Sequence, residues 1–82
     1  MYKHMEKKDF EDMNAFLKDL TILSHVKQGV YEYWKARVNG RIKLLTPLIE
    51  ELKEKHITLL EVSPQLHEEW MDLHDAKLFY QF

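Results

Sequence analysis

The sequence predicts an all-α protein, a small bundle of three to four helices that dimerisation would help to stabilise. Three observations predict it. Apolar residues recur at helical spacing along most of the chain. Helix-start signals of the Ser/Thr-Pro type occur at Thr46-Pro47 and Ser63-Pro64. The strongest hairpin signal, Asn39-Gly40, fails when the flanking residues are paired as strands.

The chain has 82 residues, enough for one domain, and is 45% hydrophobic and 32% charged, a foldable composition. Domains this small bury only a little over half of their unfolded surface. There is no cysteine, so no disulfide can add stability, whereas a second copy or a partner could. The lack of cysteine also fits a reducing cytosol. Lys and Arg number 12 against 14 Asp and Glu, for a formal charge of −2. A general nucleic-acid coat would be more basic. No apolar run approaches the roughly 18 residues of a membrane span. The N-terminal stretch MYKHMEKKDFEDM has no apolar h-region of a secretory signal. The expectation is a soluble cytoplasmic protein with a disordered polar segment over 1–8 and one helical domain over 9–82.

The first helix is predicted to start with Asp9 as N-cap and Glu11 and Asp12 in its first turn. Phe10, Met13, Phe16, Leu17 and Leu20 form its stripe. Ile22 and Val26 fall on the opposite side, which places a bend near Thr21–Ser24. A second stripe runs through Val26, Val30, Tyr33, Trp34 and Val38, with Gly29 inside it at a cost of about 1 kcal/mol relative to alanine. A third helix is predicted from Thr46 as N-cap and Pro47 at N1, with Ile42, Leu45, Ile49, Leu52, His56 and Leu59 on one face. That face reaches back past the predicted start, so the turn before it can also be helical. Ser63-Pro64 opens the fourth helix, with core positions Leu66, Trp70, Leu73 and Tyr80. Beside them His67, Met71, His74 and Leu78 make a mixed stripe.

As a two-residue hairpin, Asn39-Gly40 pairs Val38 and Ala36 with Arg41 and Lys43, and the apolar faces do not match. A three-residue loop matches them but opposes Lys35 to Lys43 and Arg37 to Arg41, which repel. A helix–turn–helix has no such conflict, because Asn and Gly both tolerate a C-terminal stop.

Nothing in the chain carries a catalytic or metal motif. His67-Glu68-Glu69-Trp70-Met71 begins like a zinc helix, but methionine stands where the second histidine belongs. Glu68, Asp72 and Asp75 read as a solvated face. The expectation is a non-enzymatic protein without cofactor. Two surfaces remain as candidate sites. Lys35, Arg37, Arg41 and Lys43 gather around Asn39-Gly40, with Tyr31, Tyr33 and Trp34 near, as a basic docking patch for an acidic partner or nucleic acid. The chain closes on LFYQF, where Phe79, Tyr80 and Phe82 form either an exposed partner-binding surface or a tail folded back over the bundle.

From MYKHMEKKDFEDM to LHDAKLFYQF, the chain resembles the lysis-inhibition accessory proteins of T-even bacteriophages, of the rapid-lysis III type. The resemblance implies a host-cytoplasmic, antiholin-like regulator that engages the soluble side of a holin–antiholin complex. The leading expectation is thus a regulatory protein that binds another protein. The alternative is a nucleic-acid-binding helical module using the basic turn at 35–43.

Overall fold

A computed structural model describes residues 3–82. It contains α1 (Lys7–Lys18), α2 (Ser24–Glu54), α3 (Leu59–Val62) and α4 (Pro64–Tyr80), and no strand among the described residues. The predicted all-α class holds. The division into elements differs from the expectation in four places.

Helix α2 is one element of 31 residues. At 1.5 Å per residue it is about 46 Å long, which accounts for the 48 Å long axis of the molecule. The turn expected at Asn39-Gly40 is absent, and both residues lie mid-helix. The reason is the continuity of the buried seam: Trp34, Val38, Leu45 and Leu52 are all buried on it, and half-buried Ile42 and Ile49 fill the intervening turns. Ending the helix at Gly40 would divide that seam. A glycine in a helix costs about 1 kcal/mol, whereas each large apolar side chain buried contributes about 1.5–3 kcal/mol. Burial wins. Asn39 also gains a tertiary partner, its Nδ2 donating to a main-chain oxygen of Phe82 at 3.1 Å.

Thr46-Pro47 starts nothing, because Pro47 lies inside α2. Thr46 turns its hydroxyl back to donate to the Ile42 carbonyl at 2.7 Å, a mid-helix habit of threonine. The proline ring removes the amide that would have bonded the Lys43 carbonyl. Pro47 and Lys43 are both exposed, so the loss falls on the wetted side of the helix.

His56 is not on a helical core stripe. It is exposed and left-handed, with φ 58°. The Ile57 amide reaches over it to the Leu52 carbonyl at 2.9 Å, closing α2 with a Schellman-type turn. Thr58 then caps α3: its Oγ1 accepts from the Glu61 amide at 3.3 Å, and the Glu61 carboxylate accepts from the Thr58 amide at 3.1 Å. Ser63 caps α4 as expected, its Oγ accepting from the Leu66 amide at 3.2 Å, with Pro64 next in the first turn.

Helix α1 starts at Lys7, not with Asp9 as N-cap; Asp9 sits in the first turn and its carboxylate accepts from the Glu6 amide at 2.9 Å. Of the expected stripe, Phe10, Met13 and Leu17 are buried, while Leu20 lies beyond the helix end and is exposed. Of the segment 1–8, residues 1 and 2 fall outside the described residues, and Met5 is among the most buried side chains at 1% exposure. The bend expected near Thr21–Ser24 is present as the linker between α1 and α2. Asp19 holds it by accepting from the Thr21 amide and hydroxyl at 2.9 and 2.7 Å, bonds that pull its carboxyl below the ordinary range.

Both α1 and α4 pack along α2. Asp9 meets Arg37 and Glu69 meets Arg41, while Tyr80 meets Tyr31. Each flanking helix therefore runs antiparallel to α2, and α1 and α4 run parallel to each other. The core lies where the three converge, around Phe10, Met13, Val38 and Leu73.

Candidate functional site

The C-terminal aromatics Phe79, Tyr80 and Phe82 do not lie on one exposed surface. Helix α4 stops at Tyr80, Gln81 adopts the left-handed conformation with φ 56°, and the Phe82 amide donates to the Lys77 carbonyl at 3.1 Å. This stop turns the chain back. Phe82 packs edge-on to Tyr31 with centroids 5.2 Å apart, and stacks on Tyr80 at 5.4 Å. The Tyr31 hydroxyl lies 3.1 Å from the Tyr80 carbonyl and 3.2 Å from that of Gln81, to which it donates. The Tyr80 hydroxyl donates to Asn14 Oδ1 of α1, and partial burial pushes that phenol's pKa up. Tyr80 and Phe82 are thus half-buried and committed to the bundle. Phe79 is not: it is 67% exposed, and the neighbouring Leu78 is 82% exposed.

Phe79 borders a groove of about 560 Å³ between α1 and α4. Phe10, Met13 and Ala76 supply apolar lining. Lys18 at the end of α1 lies over the Phe79 ring at 5.3 Å. Along α4 the wall is acidic, with Asp72 and Asp75. Asp72 holds its proton more tightly than an ordinary aspartate, first because it is partly desolvated, then because Glu68 and Asp75 stand near. Lys7 at the mouth opposes this only in part, and its ammonium lies 3.8 Å from Glu68.

The four basic residues around Asn39-Gly40 are divided by the continuous helix. Arg41 turns inward and forks onto Glu69, Nε to Oε2 at 2.9 Å and NH2 to Oε1 at 3.0 Å. Arg37 faces Asp9 of α1 at 3.4 Å. Lys35 is half-buried and Lys43 exposed, and both lie on the other side of α2. A turn would have gathered these cations; a helix at 100° per residue separates them into two pairs.

Glu69 is the polar residue that periodicity does not single out. It is 3% exposed, and besides Arg41 it accepts from the Met5 amide at 2.6 Å and meets His4 Nδ1 at 3.0 Å. This buried carboxylate ties the segment before α1 to the middle of the bundle. Its signal was faint: a helix-start acid reads as a dipole partner, and only the three-dimensional arrival of Arg41 makes burial tolerable. Leu78 is likewise not singled out by the sequence, which places it on the mixed stripe beside the core; its position off the core stripe is the signal that could have found it. His67 is half-buried and His74 is exposed, with its ring edge-on to Trp70 at 4.4 Å.

No protein-family model, curated protein or solved structure matches this chain.

Proposed function

We propose that this chain is a small, non-enzymatic regulatory protein that acts by binding another protein. The observation that carries the reading is the pair Leu78–Phe79, exposed side by side at the edge of the α1–α4 groove. Uncovered aromatic and aliphatic side chains next to a concave apolar surface are what interface anchors look like before a partner arrives. Tyr80 and Phe82 serve by fixing the end of α4, so that Phe79 projects from a rigid element. The resemblance to phage lysis-inhibition accessory proteins names one partner of this kind, the cytoplasmic part of a holin–antiholin complex.

The nucleic-acid reading has less support, since Arg37 and Arg41 face carboxylates and only Lys35 and Lys43 remain of its four cations. The test is affinity capture from producing cells with the wild-type chain and a Leu78→Ser/Phe79→Ala variant of unchanged helicity. The wild type is expected to retain a protein partner that the variant loses. Equal retention by both would remove this face from the mechanism and overturn the reading.

A further inference from the structure

The groove has a definite charge pattern. Both cations that border it are engaged at its ends, Lys7 towards Glu68 and Lys18 over Phe79. The carboxylates along its length are less well served. Asp72 and Asp75 follow one another on α4 with no cation within salt-bridge distance of either among the described residues. Partial burial first, and then repulsion from the neighbouring Glu68 and Asp75, disfavours the ionised form of Asp72. A positive charge delivered to this wall would relieve that repulsion at a partly desolvated position, where an ion pair is screened less than on an open surface. Beside this wall lie the apolar lining and the largely exposed Phe79.

Building on the protein-binding reading above, we infer that the α1–α4 groove receives a basic amphipathic helix. The apolar side of that helix lies against the exposed Leu78 and Phe79, over a floor closed by Phe10 and Met13, and its Lys or Arg residues face Asp72 and Asp75. The length fits. Helix α1 has 12 residues, so its flank offers about 18 Å, or roughly three helical turns, to an incoming helix. An apolar stripe at i, i+3 and i+4 is the way such a helix reads a groove. With Glu11 on the α1 side, the carboxylates of the groove set the sign of the partner's charge. An anionic membrane surface would be repelled by the same carboxylates.

The experiment uses the full chain and two designed 15-residue helical peptides with one shared Leu/Phe stripe. One is flanked by Lys, the other by Glu. Binding is measured by titration calorimetry at low and high salt, and located by amide chemical shifts. The Lys peptide is expected to shift α1 and α4 resonances beside the groove and to bind at least about tenfold more tightly than the Glu peptide. Asp72→Asn/Asp75→Asn should cost the Lys peptide about tenfold and flatten its salt dependence. Phe79→Ala should weaken both peptides. Equal affinity for the two peptides, or shifts confined to Glu50, Glu51 and Glu54 on α2, would overturn the inference. If the Lys peptide fails here while Leu78→Ser/Phe79→Ala still loses the cellular partner, the basic-helix assignment falls and the protein-binding reading stands. If the peptide seats in the groove but the cellular complex survives that variant, the reverse holds.

Discussion

Arg41 and Glu69 close a forked ion pair across the α2–α4 contact, with both hydrogen bonds at 2.9–3.0 Å and the carboxylate side chain 1% exposed. The Met5 amide and His4 occupy further acceptor positions on Glu69. Removing one partner from such a pair leaves a buried charge without compensation. Glu69→Ala is therefore expected to cost about 3–5 kcal/mol, a large part of the stability of a domain this size. Replacing both, as Glu69→Leu with Arg41→Met, should restore part of the loss, because an apolar pair avoids the desolvation of two charges while the Met5 amide still loses its acceptor. Urea unfolding of the three chains checks this. A double variant no more stable than Glu69→Ala would contradict it.

Gly29 gives a prediction of opposite sign. It is exposed inside α2, and an added Cβ would meet nothing within 4 Å. Gly29→Ala should stabilise the protein by about 1 kcal/mol, raising the melting temperature by about 4–8 °C. Thermal unfolding followed at 222 nm reads this directly. An unchanged midpoint would mean that residue 29 is not held in a helix.

The two terminal phenylalanines should separate in stability. Phe79 is mostly in water, so Phe79→Ala should alter unfolding free energy by no more than about 0.5 kcal/mol. Phe82 contacts Tyr31 and Tyr80, and Phe82→Ala should cost about 1–2 kcal/mol. Chemical denaturation of both variants tests the division between anchor and scaffold. Equal losses would place Phe79 in the core after all.

Asp72 carries a pH signature. An acid whose folded pKa is raised binds its proton more tightly in the folded chain, so ionising it opposes folding. That opposition grows as pH rises from the ordinary value of 3.8 through the higher folded one. Asp72→Asn should then be more stable than the wild type at neutral pH, by no more than about 0.5 kcal/mol because water screens the site. The difference should vanish near pH 3, where both side chains are uncharged. Paired denaturation curves at neutral and acid pH test the sign; a variant less stable at neutral pH would refute it.

The helical class was legible because apolar spacing survives whatever divides it into elements. The divisions were less legible, and the two Ser/Thr-Pro dipeptides show why. Ser63-Pro64 and Thr46-Pro47 carry the same local signal, and only the first opens a helix. Upstream of Ser63 the chain has already ended α2 at a left-handed His56 and made one short turn. Upstream of Thr46, Val38, Ile42 and Leu45 continue one seam. The long-range stripe decides between identical start signals, and the same stripe overrides Asn39-Gly40. The aromatic terminus was half legible: the helical pattern separates Phe79 from the core, but the return of Phe82 depends on Gln81 taking a conformation that glutamine seldom adopts. The basic cluster misleads because neighbours in sequence become neighbours in space only across a turn, and the helix continues where that turn would be.

Pro47 has a consequence for the order in which the molecule opens. It removes one rung of the α2 ladder just beyond Leu45, on the side of the helix that is already wet. From there α2 runs on to the short α3, which packs on α4 and leaves Leu60 and Val62 exposed at the tip. The middle of α2 is clamped from both sides, through Arg37 and Arg41. Amide deuteration should accordingly advance inward from the α3 tip, reaching residues 34–41 last. The native protein would breathe at the end remote from Phe79, leaving the surface around that side chain preformed.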